Sequence, residues 1–111
     1  MKRLFSRIRS FISANAEKEC PKFPFAAPPD TYTITCRHIL ENGDTILYVS
    51  HDDDGMWQFL CGRNHTGDEA RVVSLGEIFA RDNTLADIAC MPGGYIAERR
   101  DLFSEWHIKE R

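Results

Sequence analysis

Apolar positions recur along this chain in two rhythms, and the change between them marks out the elements. In residues 2–16, Leu4, Phe5, Ile8, Phe11 and Ile12 fall at i, i+1, i+4, i+7 and i+8. That spacing draws one stripe along a helix, with the basic residues elsewhere on the wheel. Residues 19–31 then hold all but one of the prolines. Proline lacks a backbone donor and disfavours helix in the residue before it, so the segment reads as an extended linker. Phe23 and Phe25 give it a means of being pinned to the body. From Tyr32 the rhythm becomes that of strands. YTITC at 32–36 predicts the first, and a short helical turn over 37–41 closes at Asn42-Gly43. Residues 46–49 and 57–61 predict a hairpin around Asp52-Asp53-Asp54-Gly55. Its first strand is apolar on both faces, which predicts cover on both. Its second alternates, sending Trp57, Phe59 and Cys61 toward the core. Val72 and Val73 predict a short strand. Ser74-Leu75-Gly76-Glu77 matches a capping box, opening a helix with Leu75, Ile78 and Phe79 on its apolar face. Asp82-Asn83 ends that helix. Thr84-Leu85-Ala86-Asp87 repeats the capping logic for a second short helix, which Met91-Pro92-Gly93-Gly94 stops. Residues 95–98 predict a last strand. Arg99, Arg100 and Trp106 fall in a polar tail, with Trp106 folding back.

Strands that precede helices, joined by short turns, predict an α+β fold. The expectation is a small, mainly antiparallel sheet with two or three short helices on one side. An N-terminal amphipathic helix at 1–18 and a proline-rich linker at 19–31 would precede a single domain at 32–111. A chain of 111 residues, 42% hydrophobic, suits one core. The net charge of −3 argues against general nucleic-acid binding. It also hides an asymmetry. Lys2, Arg3, Arg7, Arg9 and Lys18 face only Glu17 at the start, so a basic arm precedes an acidic body. No apolar run approaches the roughly 20 residues of a membrane span, and the apolar residues of the first helix are broken by Ser6, Arg7, Arg9 and Ser10, so it lacks a continuous apolar segment. The chain therefore reads as cytoplasmic, with membrane contact disfavoured. Cys20, Cys36, Cys61 and Cys90 are scattered and form no CxxC, so free, mostly buried thiols are expected.

Four constellations carry chemistry. His51, Asp52, Asp53 and Asp54 combine an imidazole and carboxylates on one turn, a set suited to a cation or to acid–base work. The turn lacks the glycine and late glutamate of a twelve-residue calcium loop, and three adjacent acids do not easily face one point. A solvated hairpin turn comes first, an acidic recognition patch second. Cys36-x-His38 and Cys61-x3-His65 offer zinc-type donors. The two side chains of the first pair share a face only if the strand continues through His38, so buried cysteines, surface histidines and no metal are expected. A cysteine nucleophile, Cys61 or Cys90 with His51, lacks local support: Cys90 follows a helix, where the dipole disfavours a thiolate. Trp57, Tyr95 and Trp106 have the character of partner anchors but are expected in the core.

YVSHDDDGMWQFLCG at 48–62, then VVSLGEIFARDNTLADIACMPGGYIAERR at 72–100 and the late Trp106, resemble a bacterial domain family of unknown function linked to the immunity proteins of polymorphic toxin systems. The resemblance covers residues 31–106. It implies a small cytoplasmic protein, not an enzyme and without cofactor, that binds and neutralises a toxin. It brings no catalytic residues with it. The expected function is therefore a protein-binding module whose acidic body covers a basic toxin domain. Charge alone selects His51, Asp52, Asp53, Asp54, Asp68 and Glu69 as the contact set. The alternative is a small metal-dependent enzyme using His51, Asp52 and Asp54.

Overall fold

The computed structural model describes residues 23–63 and 67–111. The helix expected over 1–18, the start of the linker, Cys20 and His65 lie outside the described residues. The elements run β1 (Tyr32–Cys36), α1 (Arg37–Asn42), β2 (Tyr48–His51), β3 (Trp57–Leu60), a 3₁₀ turn (Gly67–Glu69), β4 (Ala70–Ser74), α2 (Leu75–Arg81), a 3₁₀ helix (Asn83–Ile88), β5 (Tyr95–Glu98) and β6 (His107–Glu110). The six strands form one sheet in the order β4-β1-β3-β2-β5-β6. Only β1 and β3 are parallel; the other pairs are antiparallel. The fold is α+β, as the pattern predicts. No helix among the described residues is long and apolar enough to cross a membrane.

One row of side chains explains the core. Thr35 lies beside Phe59, Phe59 beside Val49 and Val49 beside Ala97, across four neighbouring strands. All four are fully buried. Period-two alternation puts every second residue of each strand on this face. Ile39 of α1, Leu75 and Ile78 of α2, and Leu85 and Ile88 of the 3₁₀ helix join the same core. The polar members of the row are satisfied: Thr35 donates to the Phe59 carbonyl at 2.6 Å and Thr33 to that of Val73 at 2.9 Å. Phe25 is buried too, edge-on to Trp57 at 5.1 Å between ring centroids. The described part of the proline-rich segment is thus pinned to the body.

Three details depart from the pattern. β2 begins at Tyr48 rather than at 46, although Ile46 is buried and the Leu47 N–H bonds the Leu60 carbonyl at 2.9 Å. The second short helix is capped by Asp82, not Thr84: the Thr84 N–H donates to the Asp82 carboxylate at 2.9 Å. Ser74 caps α2 as expected, accepting from the Glu77 N–H at 3.1 Å. The polar tail also forms a strand. β6 is exposed at all four positions and pairs with β5.

Arg99, read as part of that tail, is 6% exposed. Its guanidinium donates to the Ile46 carbonyl, the Thr84 hydroxyl and the Asp82 carboxylate at 3.0, 2.9 and 2.6 Å. It also lies 4.1 Å from the centre of the Trp106 ring. This accounts for the fold-back of Trp106 onto the core.

Candidate functional site

The predicted acidic loop is a tight turn joining β2 to β3, closed by the Gly55 N–H on the Asp52 carbonyl at 2.9 Å and by Gly55 at φ 94. Its residues divide by role. Asp52 turns back along the sheet. One carboxylate oxygen accepts from Ser50 at 2.5 Å and Arg111 at 2.8 Å, the other from Gln58 at 2.8 Å. Burial pushes the Asp52 carboxyl up, but these bonds outweigh it and hold the group below the ordinary aspartate range. The Asp52 contact in turn raises the Arg111 guanidinium. His51 is stacked on Trp57, with centroids 3.9 Å apart and planes 9° apart, and its Nδ1–H donates to the Met91 carbonyl at 2.7 Å. Asp53 and Asp54 are exposed. His51, Asp52 and Asp54 do not gather within ligand reach of one another among the described residues.

Asp68 and Glu69 lie at the other end of the sheet. They lead into Ala70, which pairs with Cys36 at the end of β1, whereas the turn at 52–55 precedes the start of β3. Four strand residues of about 3.3 Å each separate the two acidic groups, so they do not form one patch. Asp68 is exposed. Glu69 is engaged with Arg37 at 3.3 Å and the His38 Nε2 at 3.4 Å.

That end of the sheet holds a cluster whose geometry departs from the sequence reading. β1 stops at Cys36, α1 starts at Arg37, and the turn of helix carries His38 back over the strand end. His38 is 8% exposed, not a surface histidine. Cys61 follows β3, the hydrogen-bonded neighbour of β1, so the two strand ends bring it alongside. The sulfurs of Cys36 and Cys61 and a ring nitrogen of His38 all lie within 4.8 Å of one another. Cys61 Sγ is 3.6 Å from His38 Nδ1. Burial pushes the Cys61 thiol up; the Arg63 N–H opposes this and the Cys36 thiol adds to it. A buried thiol raised in this way is poorly suited to nucleophilic attack. Cys61 is thus adjacent to His38 rather than His51. Cys90 is exposed and lines a shallow groove of about 270 Å³ together with His51.

Trp57 is buried, and Tyr95 and Trp106 pack partly buried against the core, as expected. Phe103 is the most exposed aromatic among the described residues, 93% accessible against 73% for Tyr32, with Leu102 beside it at 42%. Both line a groove of about 580 Å³ that reaches Ile39 and Ile46. They follow β5, whose Glu98 pairs with Tyr48 at the start of β2, so the groove opens at the same end of the sheet as Asp68. Sequence reasoning missed this pair because Leu102-Phe103 sits among charged residues with no period.

No protein-family model, curated protein or solved structure matches the chain.

Proposed function

We propose that this chain is a non-catalytic protein-binding module, an immunity protein that binds and neutralises a basic toxin domain. The observation that carries the reading is Phe103, 93% exposed at the mouth of the 580 Å³ groove, with Leu102 beside it. A projecting aromatic next to an apolar recess is the type of feature on which binding energy concentrates. Asp68, exposed at the same end of the sheet, supplies charge that steers a basic partner. Asp52 has both carboxylate oxygens engaged within the fold, which favours binding over catalysis at the turn. The resemblance of residues 31–106 to a domain family of unknown function that is linked to immunity proteins points the same way.

The test captures a partner from native lysate on the tagged intact chain, then measures association and dissociation with variants. The wild type is expected to retain one stoichiometric protein. Phe103→Ser should weaken it roughly tenfold or more, mainly through faster release. Asp68→Asn should slow association and flatten its salt dependence. A partner held equally by all three chains overturns the proposed surface. A partner that is harmless when expressed alone overturns the immunity role.

A further inference from the structure

The three buried donors at the ends of β1 and β3 have a second use. We propose that Cys36, His38 and Cys61 form a binding site for a zinc-type transition-metal ion, with Glu69 holding the imidazole that ligates it. Tetrahedral zinc, bonded at about 2.3 Å to sulfur and about 2.0–2.1 Å to nitrogen, sets its donors about 3.5–3.8 Å apart. Cys61 Sγ and His38 Nδ1 stand at 3.6 Å, and the three donors span no more than 4.8 Å. A small contraction of Cys36 completes the triangle.

The surroundings fit as well. A histidine that ligates a metal through one nitrogen ordinarily gives its other N–H to a carboxylate, which fixes the tautomer and the ring plane. Here Nδ1 faces Cys61 while Nε2 faces the Glu69 carboxylate at 3.4 Å. The Arg63 N–H, two residues beyond Cys61, points at the Cys61 sulfur. A backbone donor on a thiolate supports its negative charge. The donors are 1%, 8% and 5% exposed for Cys36, His38 and Cys61. Two thiolates and a neutral imidazole cancel the charge of a divalent ion, so the site is neutral where burial of net charge is costly. Binding leaves the imidazole neutral and transfers the two thiol protons to solvent. Cys61 also lines an open groove of about 350 Å³ between Asp44 and Arg63, which supplies a path for entry. The donor set of two sulfurs and one nitrogen selects borderline and soft ions over magnesium or calcium.

The experiment uses the full chain, stripped of metal under reducing conditions. Zinc alone is titrated against a chromophoric chelator, and cobalt(II) is used as a spectroscopic substitute. The expected result is one ion per chain and an intense sulfur-to-cobalt charge-transfer band. Cys36→Ser with Cys61→Ser should abolish that band. Glu69→Gln, which keeps the shape of this partly buried side chain, should retain the band and weaken zinc about 10–100-fold. No thiolate band from the wild type, which requires no variant to fold, overturns the proposal. So does equal zinc binding by the wild type and the double serine variant. A Cys36–Cys61 disulfide whose reduction yields no zinc affinity overturns it too.

Discussion

Removing the Arg99 guanidinium would leave the Asp82 carboxylate, 10% exposed along its side chain, without its 2.6 Å partner. Breaking a buried pair from one side costs about 3–5 kcal/mol, because the remaining charge stays desolvated. Arg99→Ala should lose that much in a urea denaturation series. Arg99→Lys should recover only part of it: one ammonium cannot serve Ile46, Thr84 and Asp82 and also cover the Trp106 ring. Asp52 sets a pH dependence. Its folded carboxyl titrates below the ordinary value of 3.8, so its contribution is full above that value. The contribution is lost as pH falls through the folded pKa. Asp52→Asn should flatten the acid limb of stability, measured as urea midpoints below about pH 4. The sequence made the acidic turn legible but not the division within it. Three identical aspartates carry no mark of which one turns inward, and the arginine that selects Asp52 lies 59 positions away. Arg99 was hidden for the same reason. A charged residue is assigned to solvent by default, and only the fold reveals the Ile46, Thr84 and Asp82 acceptors and an indole around it.

Elements were legible where one face is buried. β3 keeps a strict inward parity and α2 an apolar stripe, and their spans follow the pattern closely, while β1 breaks parity only where Cys36 is buried beside Thr35. β6 has no buried residue, so no alternation could announce it; it exists because β5 offers it a free edge. The loop before β5 shows how elements constrain one another. Gly94 has φ 88, and a side chain built there would begin 2.7 Å from the Asp53 carboxylate. Its N–H also bonds the His51 carbonyl at 2.7 Å. Gly94→Ala should therefore cost about 1–3 kcal/mol through backbone strain, read as a lower thermal midpoint. Asp53→Gly in the same chain should restore a part of the loss by removing the clash but not the strain.

At the scale of the whole molecule, the candidate contact set was legible as charge but not as place. Sequence order puts Asp52 and Glu69 only 17 positions apart, yet β3 carries the chain from one end of the sheet to the other between them. The converse holds for Cys36 and Cys61: 25 positions separate them, and a parallel strand pair brings their ends together. That pair has a consequence for how the chain acquires its structure. β1 is flanked by β3 and β4, both of which follow β2 in the chain, so the sheet cannot grow in the order of synthesis. The β2–β3 hairpin closes over a short turn and involves little loop entropy, whereas β1 joins partners 24 and 40 positions distant. The folding nucleus is therefore expected in the hairpin and the insertion of β1, with β6 added last. In stopped-flow chevrons, Val49→Ala and Thr35→Ala should slow refolding, while Ile108→Ala should leave refolding unchanged and speed unfolding. Equal effects of Ile108→Ala on both limbs would place β6 in the nucleus instead. A chain folding in this way stays open at β1 until the residues of β4 are available, and its last strand sets how long the finished molecule lasts rather than how quickly it forms.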